Sequence, residues 1–203
     1  MRAFGFDDIQ IDDIEEDTEV KEDEAPEVKD EEPKAKVGDI YQLGRHRLMC
    51  GDSTSIDDVE KLINGESIQM ALTDPPYGVR AVESGGHNRG KKAGSQVCND
   101  NIYFPIAGDD TTETAQANYD ILKAITDNQI IFGGNYFTNF LPPSRCWIVW
   151  DKGEGFYNRT YAEAELAWTS FDKNVKIYKR DPLACGDYHG KIHPTQKPVA
   201  LYE

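Results

Sequence analysis

Apolar residues in this chain come in short runs, such as QIIFG (129–133) and WIVW (147–150), and polar stretches with helical spacing separate them. Runs of this length suit strands of a buried sheet, and the stretches between them are long enough for helical crossovers, so the sequence predicts an α/β fold. Candidate strands cover 45–50, 68–73, 128–133, 146–151 and 162–170, the last with Ala164, Leu166 and Trp168 alternating in period two. Candidate helices cover 55–64 and 112–127. In the second, Ala117, Ile121, Leu122 and Ile125 share one face, and Thr111 or Thr112 stands where a side-chain cap belongs. Trp147, Trp150 and Trp168 read as core. No apolar run approaches the length of a membrane span, and acids rather than a basic, apolar leader follow Met1, so a cytoplasmic protein is expected. The cysteines, Cys50, Cys98, Cys146 and Cys185, lie far apart without a CxxC pair, which points to reduced thiols rather than to zinc or disulfides.

Charge divides the chain in two. Residues 1–36 hold 15 acids and 5 bases, net −10, which leaves −5 of the total −15 for everything after them. With almost nothing apolar to bury and strong self-repulsion, that segment is expected to be a disordered acidic tail or linker. The single globular unit begins at Val37. Within it, the glycine-rich stretch 78–101 reads as a long loop whose Arg89, Lys91 and Lys92 can reach phosphates.

LTDPPYGV (72–79) ends an apolar run with an acid and then stiffens the next two positions. In an open parallel sheet, ligands sit outside the carboxyl ends of the strands, which is where Asp74 falls. Pro75 forces Asp74 into an extended conformation, and neither Pro75 nor Pro76 carries an N–H. The turn therefore presents the Asp74 carboxylate and carbonyl oxygens with no competing donor, and Tyr77 adds a flat ring beside them. A planar ligand with an exocyclic amine fits this cluster of acceptors. The lone pair of such an amine is delocalised into its heterocycle. Hydrogen bonds to Asp74 and to the Pro75 carbonyl would localise it and offset the positive charge that develops during attack on an electrophilic carbon. A base inside a duplex must first be swung out, with Tyr77 stacking against it.

DPPYGV (74–79) resembles the catalytic motif of amino-group DNA methyltransferases that use S-adenosylmethionine, and other stretches stand in the order found in the β group of that family. GDIYQLGRHRLMCGDST (38–54) resembles the segment before the catalytic motif, in which the acid after a strand, here Asp52, lies near the cofactor's adenine. IIFGGNYF (130–137) resembles the next strand and its glycine turn beside the target-base pocket, and IVWDKG (148–153) the strand after that. KIHPTQKPVALYE (191–203) resembles the segment that opens the helix over the methionine end of the cofactor. The resemblance spans residues 37–203. It implies a Rossmann-like S-adenosylmethionine-dependent sheet and methyl transfer to a flipped base of double-stranded DNA. The same resemblance makes Asp74, Pro75, Pro76 and Tyr77 catalytic, gives Asp52, Thr195 and Lys197 to the cofactor, and puts Asn135 and Phe137 at the target base. An Asp opening the tetrad is commoner in adenine-N6 than in cytosine-N4 members, so adenine leads.

Several of these residues have plainer uses. Asp52 is equally suited to capping a turn, Gly133 and Gly134 to a tight turn, and Thr195 to capping a helix with Pro198 in its first turn. A helix start with Lys197 beside it is also a carboxylate site. His193 reads as structural. The polar segment 173–191, with Lys173, Lys176, Lys179, Arg180 and Lys191, is the available recognition region and suits phosphates more than a base code.

In this arrangement a glycine-rich cofactor loop of the Phe-x-Gly-x-Gly type belongs shortly after HPTQKP, and the 203 residues contain none. The chain is therefore expected to be a piece of a methyltransferase, inactive alone, whose sheet is incomplete at the C-terminus and lacks strands between the one before Asp52 and the one before Asp74. Its acidic beginning resembles the linker after an upstream ParB-like nuclease domain in some phage and bacterial relatives. Two other classes fit parts of the sequence. Asp52 and Asp74 could bind magnesium in a nuclease or phosphotransferase, although a metal site gains nothing from a donor-free double proline. A non-catalytic DNA-binding remnant would also lack the glycine loop.

Overall fold

The computed structural model describes residues 34–81, 105–158, 162–182 and 195–202. Two strands, β1 (Ile40–Leu43) and β2 (His46–Met49), form an antiparallel hairpin in which Leu43 faces His46 across a turn at Gly44, whose φ is +61°. The hairpin stands apart from the main sheet, which corrects the expectation that the strand before Asp52 belongs to it. Its burial explains the separation: all four residues of β1 are exposed and Leu48 is 57% exposed, so the pair satisfies its own backbone without joining a core.

Helix α1 (Ile56–Ile63) follows. Ser55 accepts the Asp58 N–H at its start, Asp57 and Asp58 complement the positive end of the helix dipole, and Asn64 in the left-handed region closes it. The main sheet then forms from β3 (Ala71–Thr73), β4 (Gln129–Phe132), β5 (Trp147–Asp151), β6 (Ala164–Thr169) and β7 (Lys176–Lys179), in the order β3-β4-β6-β5-β7. The β3–β4 and β5–β7 pairs are parallel, while β6 runs antiparallel to both β4 and β5. Four strands thus point one way, with one reversed strand in the middle. The fold is mixed α/β, as the alternation of runs predicts. β7 lies inside the segment expected as a recognition region, a strand that the sequence reading did not anticipate.

Helix α2 (Glu113–Ile125) crosses between β3 and β4. The Thr111 hydroxyl accepts the Glu113 N–H at 3.3 Å, so Thr111 rather than Thr112 supplies the cap. Its buried face is Ala115, Asn118, Tyr119 and Leu122, with Ile121 and Ile125 half-buried; Ala117 is exposed, contrary to the sequence expectation. The stripe is shifted because the Tyr119 ring, the largest apolar surface on the helix, packs edge-on against Trp168 at 6.1 Å.

Two cores cover the two faces of the sheet. Ile131 and Trp168 point to one, with Ala115, Tyr119, Phe137 and Leu141. Ile130, Phe132, Ile148, Trp150 and Ala167 point to the other, where Leu201 of a 3-10 turn (Val199–Leu201) completes it. Trp150 and Trp168 are core, at 1% and 3% exposure, and Trp147 packs against the first core from its margin. Burying a side chain of this size contributes about 2–3 kcal/mol. Tyr77 touches both cores, at the end of the sheet where they meet. Cys146 is buried and Cys50 half-buried, both as free thiols. Among the described residues no helix is long and apolar enough to cross a membrane.

Candidate functional site

Strand direction decides which side chains meet. Asp74 directly follows β3, Gly133 follows β4 and Lys152 follows β5, so all three leave the sheet at one edge. Because β6 is reversed, its second residue, Glu165, arrives at that edge and pairs in register with Trp150. One acid from a strand end and one from a strand start are thereby brought together.

Lys197 links them. Its Nζ donates to Asp74 Oδ2 and lies 3.5 Å from Glu165 Oε2, while Lys152 Nζ lies 2.8 Å from Glu165 Oε1. The Lys197 side chain is 2% exposed and its ammonium sits 5.0 Å from the Phe132 ring centroid and 5.5 Å from that of Tyr77. Such a buried ammonium survives only with counter-charges, which Asp74 and Glu165 provide. Burial pushes the Glu165 carboxyl up, but the Lys197 and Lys152 ammonium groups more than offset it and hold the carboxyl below its usual range.

The Tyr77 hydroxyl donates to Asp74 Oδ1 at 2.8 Å, with Glu165 Oε2 as a second acceptor at 3.3 Å. Burial, and then the Asp74 and Glu165 carboxylates, push its phenol far up. The same causes push Tyr202 up to about 12. Both rings therefore remain neutral donors at physiological pH.

The Tyr77 ring stacks on Tyr136, with centroids 5.2 Å apart and planes 20° from parallel. Gly133, at φ +72°, is packed against the same ring so closely that a Cβ would overlap it, and Gly134 is packed as closely against Trp168. The glycine pair is thus required by two aromatic neighbours as well as by the turn. After it, a 3-10 turn (Gly134–Tyr136) fans successive side chains apart by about 120°. Asn135 is exposed and Tyr136 is 43% exposed, whereas Phe137 is fully buried in the core. The sequence reading puts Phe137 at the target-base pocket; here its ring is enclosed in the core, and Tyr136 is the accessible ring of this turn.

Asp109 was not singled out by sequence reasoning, and it governs the loop after the tetrad. Its carboxylate, on a residue only 5% exposed, accepts the backbone N–H groups of Gly78, Val79 and Ala81 at 2.9, 3.2 and 2.7 Å, and its carbonyl accepts that of Arg80 at 2.8 Å. Gly78 (φ +73°) and Arg80 (φ +50°) both lie in the left-handed region, so the carboxylate gathers donors from a loop that turns back on itself. A cavity of about 110 Å³ lies between Asp74, Pro75, Val79, Ile106 and Thr195. Thr195 is exposed at its rim, and Pro198 rather than Thr195 occupies the cap position of the 3-10 turn.

Asp52 caps its own turn. It is exposed and accepts from the Thr54 N–H at 2.8 Å and the Thr54 hydroxyl at 2.7 Å, which hold its carboxyl below the usual range. Lys179 lies 3.6 Å from Glu154, and the Arg180 N–H donates to the Asp151 carbonyl at 3.0 Å. Arg89, Lys91, Lys92 and His193 lie outside the described residues, as does most of the acidic segment.

No protein-family model, curated protein or solved structure matches the chain.

Proposed function

We propose that the Asp74 edge of the sheet transfers a methyl group from S-adenosylmethionine to the exocyclic amine of a flipped base in double-stranded DNA, adenine N6 first, on a Rossmann-like scaffold. One observation carries the reading. Asp74 leaves the carboxyl end of β3 into a turn with no N–H at Pro75 or Pro76, and its carboxylate, 30% exposed, borders a cavity. A turn whose prolines offer carbonyl acceptors and no N–H suits an amine better than it suits a metal or a phosphate.

In this role the Asp74 carboxylate and the Pro75 carbonyl accept the two amine hydrogens, and Asp74 offsets the positive charge that grows on nitrogen. Until the amine arrives, Tyr77, kept neutral, fixes one Asp74 carboxylate oxygen in place. The cofactor supplies the electrophilic methyl. Of the residues offered to it, Thr195 borders the cavity, whereas Lys197 already neutralises Asp74 and Glu165, so a cofactor carboxylate would be the third acid beside two lysines. We therefore read Lys197 chiefly as the partner of Asp74, and leave Asp52, which serves its own turn, as the weakest of the three.

The test is a map of modified bases in DNA from a methylation-free bacterial host that expresses the whole gene containing this sequence, with its full downstream reading frame. N6-methyladenine within one short recurring sequence is expected, and its loss with Asp74→Ala. Unmodified DNA in a host that accumulates the folded protein would count against the reading.

A further inference from the structure

Each oxygen of the Asp74 carboxylate accepts one hydrogen bond in this structure: Oδ1 from Tyr77 at 2.8 Å and Oδ2 from the Lys197 ammonium. Both donors have a second acceptor within reach, and it is a single atom. Glu165 Oε2 lies 3.3 Å from the Tyr77 hydroxyl oxygen and 3.5 Å from Lys197 Nζ. Glu165 itself is fixed from the other side, since Lys152 holds Oε1 at 2.8 Å and the backbone is in register with Trp150.

We infer that Glu165 is the holding acceptor for Lys197 and Tyr77, taking both donors over from Asp74 when the amino group of a ligand arrives there. This rests on the reading that Asp74 receives an exocyclic amine. An ammonium left on Asp74 would compete with the amine for the carboxylate, neutralise the charge that should offset the reacting nitrogen, and repel the positive charge that methyl transfer builds there. If Lys197 moved away without a receiver, a charge with 2% side-chain exposure would be orphaned, which is prohibitive. Glu165 removes both obstacles. Its distances are already at the edge of hydrogen-bond length, so side-chain rotation completes the exchange, and Lys197 remains ion-paired throughout. Glu165 is thus a positioning residue, and the resting pair Asp74–Lys197 is a closed state of the amine site.

The test follows Lys197 itself. Protein carrying ¹³C at lysine Cε is titrated with adenosine, and with purine riboside, which keeps the ring and sugar but lacks the amine; Lys197→Arg assigns the resonance. In the wild type, adenosine should shift the Lys197 signal and purine riboside should not. Glu165→Gln should abolish the shift and weaken adenosine binding by roughly tenfold, because the competent state becomes rare. Glu165→Gln combined with Lys152→Met removes one charge of each sign, guards against misfolding, and should bind adenosine equally weakly. Three results would overturn the inference: a Lys197 signal unmoved at adenosine saturation, an equal response to purine riboside, or wild-type affinity in both Glu165 variants. Failure to bind adenosine at all would overturn it too. The map of methylated bases is independent of these readouts, so DNA methylation with an unmoved Lys197 rejects the handover alone, whereas an amine-dependent shift without methylation rejects the reaction.

Discussion

Gly133 lies against the ring of Tyr77 with no room for a methyl group, and its φ of +72° is one that side chains rarely adopt. Both conditions act at once, so Gly133→Ala must move either the turn after β4 or the ring that donates to Asp74. We expect a loss of stability of roughly 2–4 kcal/mol, from backbone strain and overpacking together. Denaturant unfolding measures it. A loss below about 0.5 kcal/mol, the range of an ordinary surface change, would mean that Tyr77 does not sit where the structure has it.

The edge on which this site is built was legible in the sequence only in part. The apolar runs located β3, β4, β5 and β6, and the double proline put Asp74 at a strand end. β7 escaped because KIYK carries lysines at both ends and exposes three of its four residues, leaving no apolar signature. Glu165 escaped for a different reason. Period two marks which face of β6 is apolar, but only the reversed direction of that strand brings its second residue to Asp74. Tyr77 and Glu165 are 88 positions apart, and Lys197 and Asp74 are 123 apart. No local pattern encodes such pairings. The glycines of the Gly133–Gly134 turn were visible, yet the rings that demand them were not.

Asp109 satisfies three backbone donors of the loop after the tetrad with one carboxylate. Asp109→Ala leaves those groups without their acceptor and should cost about 2–4 kcal/mol, since each donor that water cannot reach is expensive. Asp109→Asn keeps one acceptor oxygen and should lose less. Hydrogen exchange is the sharper measurement: the amides of Gly78, Val79 and Ala81 should lose protection in the alanine variant while those of β4 and β6 keep theirs. Uniform loss across the sheet would instead show that Asp109 supports the whole fold.

Stability should fall at both ends of the pH range, for opposite reasons. The Glu165 carboxyl is held below its ordinary 4.5 in the folded chain. Its contribution is complete above that value and is lost as pH drops through the lower folded value, because the unfolded chain binds the proton first. Tyr202 is raised from 10.0 to about 12. Its contribution is complete below 10 and is lost as pH rises toward 12, since the unfolded phenol ionises first. A melting-temperature profile should therefore be flat near neutrality, with Glu165→Gln reducing the acid limb and Tyr202→Phe reducing the alkaline limb, to which Tyr77, raised further, also contributes. An acid limb unchanged by Glu165→Gln would assign it to other carboxylates, such as Asp151, which is also lowered by its bond from Tyr157.

Burial separates two of the direct ion pairs among the described residues. Lys197–Asp74 joins side chains that are 2% and 30% exposed, whereas Arg145–Asp172 joins side chains that are 64% and 87% exposed. Water and salt screen the second pair and leave the first largely unscreened. A double-mutant cycle with Lys197→Met and Asp74→Ala should give a coupling of about 1–3 kcal/mol, little changed between low salt and 1 M salt. The singles should cost more than the double mutant implies by addition, because among the described residues Lys197 alone keeps Glu165 at 3.5 Å as its counter-charge, and Asp74 alone keeps the Tyr77 hydroxyl at 2.8 Å. The corresponding cycle on Arg145 and Asp172 should give a weak coupling that fades with salt. Equal coupling in the two cycles, or a Lys197–Asp74 term that disappears in salt, would mean that Lys197 reaches solvent and that the amine site has no closed state to open.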